Sequence, residues 1–185
     1  MGVNVLYHNN VLQSTKTVLF FRSIRKKIMA ISSAFQNRIK DLTDEVTATQ
    51  NIRKSSLPKR MGIDYSSLSN ALEYGILPTP RIAMRMADYF HCSIPYLFGT
   101  SDDEYFEHSK EPHSFSERIL LLCEERNVKY KDVCEHCGFY RGYLARWIKN
   151  NYIPSWDYLD DLAKFFDVSV DYLLGRTDDK ISKPE

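Results

Sequence analysis

Apolar residues recur along this chain at helical spacing, and they do so in two matching stretches. Phe115, Ile119 and Leu122 form one stripe, which predicts a first helix ending near Asn127. Lys129 to Cys137 predicts a short second helix, followed by Gly138 where a helix closes in a left-handed residue. A third starts near Tyr140 or Arg141, buries Leu144, Trp147 and Ile148, and stops at Asn150-Asn151. Ser155 caps a fourth, whose Leu159, Leu162, Ala163 and Phe166 keep the i, i+3, i+4, i+7 pattern. Ser169 opens a last short helix with Val170, Leu173 and Leu174 facing inward. The upstream stretch follows the same plan. Its helices run from about Phe35, to a second ending before Gly62, then from Asp64 to about Glu73. A fourth begins at Thr79 with Pro80 in its first turn and buries Ala83, Met86, Ala87 and Phe90. Pro58 delays the second helix to about Ser55 or Ser56, since proline is tolerated only in a first turn.

The match between the stretches extends to residue identity. Tyr96-Leu97-Phe98-Gly99-Thr100-Ser101-Asp102-Asp103 is echoed 76 residues later by Tyr172-Leu173-Leu174-Gly175-Arg176-Thr177-Asp178-Asp179. At that offset Gly62 meets Gly138, Leu68 meets Leu144 and Pro78 meets Pro154. Phe35-x-x-Arg38-Ile39-x-x-Leu42 matches Phe115-x-x-Arg118-Ile119-x-x-Leu122 at an offset of 80. The extra four residues amount to about one helical turn, so the first helix can lengthen without rotating its buried face. A repeat of this length predicts an all-α chain of two similar small units. The boundaries are an extension over 1–34, a first unit over 35–99, a linker over 100–114, a second unit over 115–175 and a polar tail over 176–185.

In each unit the second and third helices, joined by a turn holding glycine, form a helix-turn-helix. Gly138-Phe139-Tyr140-Arg141-Gly142-Tyr143-Leu144-Ala145-Arg146-Trp147-Ile148, then Pro154, then Val168 through Asp179, resembles the Cro/C1-type (XRE family) helix-turn-helix domain. The first unit resembles it through Gly62-Ile63-Asp64-Tyr65-Ser66-Ser67-Leu68, Pro78 and Ser93 through Gly99. The resemblance implies two lambda-repressor-like five-helix domains in tandem, with the third helix of each lying in the major groove of double-stranded DNA. It places Arg141, Gly142 and Arg146 as base readers in the second unit, with Tyr143 on a phosphate and Lys149 on the same face. Arginine suits the role because its fork pairs with both acceptors of guanine. Lys129 and Tyr130 meet the backbone, where contacts position but do not specify. In the first unit the readers are Tyr65, Ser66 and Asn70, with Ser67 on phosphate and Lys54 equivalent to Tyr130. A solvated helix face is the alternative for Arg141, Arg146 and Lys149, which their coincidence with the family's reading positions outweighs, and Ser66 and Ser67 also suit any helix start. Two positions depart from the family pattern: Pro58, which moves Lys54 relative to the backbone, and Tyr140, which replaces the small capping residue that Asp64 supplies upstream.

Net charge is +1, but it is unevenly spread. Residues 1–34 carry five Lys/Arg and no acid, whereas 100–114 carry one basic and five acidic residues. The second unit is net acidic through Asp157, Asp160, Asp161, Asp167 and Asp171, expected on the last two helices away from the DNA face. DNA binding needs only a local basic face, so the near-neutral total leaves it open. The basic run Arg22 to Lys27 reads as an arm on DNA, or as sequence ahead of a translation start at Met29. Cys134-Glu135-His136-Cys137 is half of a zinc motif, but no second pair stands at zinc spacing, and buried cysteine is the simpler reading. No metal, cofactor or small-molecule ligand is therefore expected. The absence of catalytic motifs and of an 18-residue apolar run argues for a non-enzymatic, cytoplasmic protein without a membrane span. With ten residues after Gly175, no self-cleaving domain is expected. Two functions follow. One is a sequence-specific transcriptional regulator of repressor type, binding an unlike pair of half-sites as a monomer or a palindrome as a homodimer. The other is a protein-interaction module of antitoxin or anti-repressor type, in which exposed Tyr65, Tyr74, Tyr140, Tyr143 and Tyr152 serve as contacts.

Overall fold

The computed structural model describes residues 29–181, and among them every regular element is a helix. The chain is helical over 29–49 (α1). A 3-10 turn, Lys54–Ser56, leads into α2 (Leu57–Met61), and α3 (Tyr65–Tyr74), α4 (Pro80–Phe90) and α5 (Ile94–Leu97) follow. The plan then recurs as α6 (Phe115–Glu125), α7 (Tyr130–His136), α8 (Tyr143–Lys149), α9 (Trp156–Phe166) and α10 (Val170–Leu173). The expectations for the Arg22–Lys27 run lie outside the described residues.

The local chemistry explains most boundaries. Pro58 sits in the first turn of α2, so the chain approaches it through the 3-10 turn. The shift in repeat offset falls at the end of α1. Glu125, the last residue of α6, aligns with Glu45, and α1 continues one turn further to 49. Residues 29–34, expected in the extension, are part of α1. The Ser32 hydroxyl donates to the Gly75 carbonyl at 2.7 Å, and the Gln36 amide donates to the Leu72 and Glu73 carbonyls. These bonds satisfy carbonyls that the end of α3 leaves without helical partners. Ser169 caps α10 by accepting from the Tyr172 N–H, whereas Ser155 stands at the cap of α9 without a side-chain hydrogen bond.

The repeated motif residues meet one another. Arg38 on α1 donates to Asp102 at 2.8 Å and lies 4.0 Å over the Tyr96 ring. Arg118 on α6 donates to Asp178 at 2.6 Å and lies 4.2 Å over the Tyr172 ring. The Phe-x-x-Arg-Ile pattern and the later Tyr and Asp thus form one clamp, made twice. Each clamp closes the first helix of its stretch onto the last.

One continuous apolar core runs through both stretches, from Phe35, Ile39, Leu57 and Met86 to Leu144, Leu159, Phe166 and Leu173. The halves are joined by Trp156, whose indole N–H donates to the Pro78 carbonyl at 2.8 Å and whose ring meets Phe98 edge-on at 5.0 Å. Asp171, expected with the other acidic residues away from the DNA face, is 3% exposed. Its carboxylate accepts the Ile94 N–H at 3.0 Å and pairs with Arg176. Arg176, expected in the polar tail, is 5% exposed; it also donates to Asp88 at 2.8 Å and to the Cys92 carbonyl at 2.8 Å. The acidic segment between the stretches is held down rather than extended. Phe106 stacks under the Arg176 guanidinium at 4.6 Å, and the Ser109 N–H donates to the Arg176 carbonyl at 2.8 Å.

Candidate nucleic-acid interface

The second helix-turn-helix is α7, the turn at Gly138, and α8. Gly138 takes φ +70°, which turns the chain while the Phe139 N–H donates back to the Cys134 carbonyl at 2.7 Å. A residue with a β-carbon is strained there, which is why glycine fits. Beyond the turn the structure differs from the expected start of the reading helix. α8 begins at Tyr143, two residues after the place that α3 sets for its repeat. Asp64 caps α3 by accepting the Ser67 N–H at 2.8 Å, whereas Tyr140, the equivalent of Asp64, has no oxygen positioned for that bond. Arg141 and Gly142 therefore lie in the turn before α8, where the Tyr143 N–H donates to the Tyr140 carbonyl at 2.9 Å.

Arg141, Gly142, Arg146 and Lys149 are all exposed, as is Lys129 at the cap of α7. Tyr130 is half-buried as the first residue of α7, and the Asp132 carboxylate accepts the Lys129 N–H at 3.3 Å. None of the ion pairs among the described residues involves Lys129, Arg141, Arg146 or Lys149. No carboxylate among the described residues pairs with their charges. Tyr143, half-buried, holds Arg146, whose guanidinium lies 4.9 Å over its ring. Tyr143 in turn rests on Trp147 and Tyr158, with ring centroids 5.6 Å and 5.9 Å away. Such stacking restricts a long side chain before it meets a ligand. Tyr158 on α9 was not among the expected site residues. Helical spacing alone gives no hint that its ring reaches α8.

The upstream helix pair, α2 and α3, is differently charged. Tyr65 is exposed as the first residue of α3, and Asn70 is exposed one turn on. Ser66 and Ser67, however, are turned onto Asp64, with the Ser67 hydroxyl donating at 2.7 Å. Those hydroxyls and the Ser67 N–H hold the Asp64 carboxyl down at about 2. Asp64 is thus an anion on the face expected to approach phosphate. Lys54 does not stand free: it pairs with Asp44 on α1. The Arg85 guanidinium donates to the Gly62 carbonyl, bracing the turn from α4.

The cysteines are structural in their setting. Cys134 is fully buried and its sulfur lies 3.7 Å from the Arg141 carbonyl; Cys137 lies 3.8 Å from the Asp161 carbonyl. Burial pushes the Cys92 thiol up to about 12 and those of Cys123 and Cys137 up to about 11. Among the described residues no group of three or more His, Cys, Asp or Glu side chains is placed to hold a metal ion. No helix among them is long and apolar enough to cross a membrane.

Residues 118–179, from the middle of α6 to just past α10, match the model of the Cro/C1-type HTH DNA-binding domain. No curated protein and no solved structure matches the chain. A domain of this type supports a DNA-binding regulator, and the match spans α7, the Gly138 turn and α8 together with every expected reading residue of the second stretch.

Proposed function

We propose that this chain is a sequence-specific transcriptional repressor in which two Cro/C1-type units, α1–α5 and α6–α10, both address double-stranded DNA. The observation that carries the reading is the face of α8 and its approach. Arg141, Arg146 and Lys149, with Lys129 alongside, project uncommitted charge from a helix-turn-helix, and Arg146 is already stacked on Tyr143. Arg141 and Arg146 read base edges, while Lys129, Tyr130, Tyr143 and Lys149 engage the backbone. Support for the first unit is its repeat relation and its exposed Tyr65 and Asn70.

Asp64, with its two serines, and the Lys54–Asp44 pair favour a second reading for the first unit alone, as a weak reader or a protein contact. Binding to random-sequence duplex DNA across a salt series separates the two. Affinity that falls steeply with salt and weakens in R141A/R146A supports the second unit as a reader. Weakening in S66A/N70A extends the reading to the first. Retention of full affinity in S66A/N70A assigns the first unit to a protein partner, and no binding at low salt ends the repressor reading.

A further inference from the structure

The two halves do not merely follow one another; equivalent positions of the repeat approach each other. A small cavity between α5 and α10 is lined by repeat-related pairs: Ser93 with Ser169, Pro95 with Asp171, and Ser101 with Thr177. Each pair is separated by 76 residues, so the same position of the repeat approaches the cavity from both sides. The flanking approaches come from the corresponding ends of α4 and α9. Trp156, at the start of α9, meets Pro78 and Phe98 of the first half. Arg81 and Met84, at the start of α4, line a groove with Ile153 and Leu174 of the second half. Leu174 is the repeat partner of Phe98, and Ile153 precedes the partner of Pro78. Reciprocity of this kind is the mark of an isologous interface; head-to-tail packing brings together different positions of the repeat.

The residues that break the symmetry make the pairing heterotypic. Arg176 stands where the first half has Thr100, and it reaches Asp88, where the second half has Lys164. Asp171 stands where the first half has Pro95, and it receives the Ile94 N–H. Were two second halves to pair in the same way, Arg176 would face Lys164 and Asp171 would face Asp171. Unlike halves are favoured and like halves are opposed by charge, which is how specific pairing is secured.

From this arrangement we infer that the halves are related by an approximate twofold axis and that one chain is a complete reading pair. It presents α3 and α8 in opposed orientation, so its DNA target is two unlike half-sites in inverted order at one fixed spacing, bound by a single chain. The inference rests on the DNA-binding reading above, because half-site orientation has meaning only if both units engage DNA. Protein symmetry is mirrored in the site it binds, and here the symmetry is built within the chain.

The test uses the full wild-type chain. A site is selected from random duplexes, and one half is then either reversed into a direct repeat or displaced by half a helical turn, about 5 base pairs. Loss of on the order of 100-fold in affinity on either change is expected, because only one unit remains engaged. One chain per duplex is expected by sedimentation. Equal binding of direct and inverted sites, tolerance of the displaced spacing, or two chains per site overturns the inference while leaving the DNA-binding reading intact. Absence of any selected site overturns both. Hydrogen exchange at Ile94 reads the interface without DNA: protection by Asp171 is expected in the free protein, and free exchange there overturns the twofold arrangement directly.

Discussion

Replacing Arg176 by alanine tests the joint between the halves with one change. The side chain donates through separate nitrogens to Asp88, Asp171 and the Cys92 carbonyl, and it covers Phe106. The Asp88 carboxylate is half-exposed, and losing that contact alone costs little. Asp171 is different. Burial pushes its carboxyl above the ordinary 3.8, while the Arg176 charge and the Ile94 N–H draw it back. R176A leaves a buried carboxylate facing one amide. Removing one partner of a buried pair costs about 3–5 kcal/mol. For a domain of this size each kcal/mol lowers Tm by about 2–4 °C, so a fall of roughly 6–20 °C is expected. The pH dependence gives the sign. With Arg176 gone, Asp171 binds its proton more tightly folded than unfolded, so the variant's stability is retained below 3.8 and lost as pH rises through the raised folded value. Urea unfolding of wild type and R176A at pH 4.5 and pH 7.5 therefore shows the larger deficit at pH 7.5. A deficit under about 1 kcal/mol, or one equal at both pH values, refutes the reasoning.

Two further outcomes are expected. Gly175 has φ +73°, and an added β-carbon would fall 1.7 Å from the His113 carbonyl oxygen, whereas the space around Gly138 at φ +70° is open. G138A should cost about 1–2 kcal/mol from backbone conformation alone, while G175A must also displace the chain ahead of α6 and should melt at least 5 °C lower than G138A, as calorimetry would show. Asp64 has its pKa lowered to about 2, so it contributes stability above its ordinary 3.8 that is lost as pH falls towards 2. Thermal melts of D64A and wild type should differ at pH 6 and converge as pH approaches 2; a gap that persists at low pH would show that the cap acts without its charge.

Much of the architecture was legible because it is local and periodic. The stripes of Leu159, Leu162, Ala163 and Phe166 and of Ala83, Met86 and Ala87 fix which helix face is buried. Gly62 and Gly138 mark the left-handed closures of their turns. Pro58 announces the late start of α2. The delayed start of α8 was half-visible: the missing cap at Tyr140 could be read, but not that two residues would be spent before the first helical turn. At the candidate site, exposure of Arg141, Arg146 and Lys149 follows from spacing, whereas the stacking of Arg146 on Tyr143 and of Tyr143 on Tyr158 needs two helices in place.

By itself, then, the chain's pattern determined the helices, their buried faces, the repeated helix order and the exposed basic edge of the second stretch. Only the tertiary structure decided the fate of the charges. Asp171 and Arg176 look like solvent-facing residues near the end of the chain, and Lys54 looks like a backbone contact. Desolvating a charge is unfavourable unless a partner with the right geometry is present. For Arg176 those partners lie 84 and 88 residues away, and for Lys54 on a different helix. Periodicity reports the face a residue occupies on its own helix, and it carries no information about what a distant segment places opposite it.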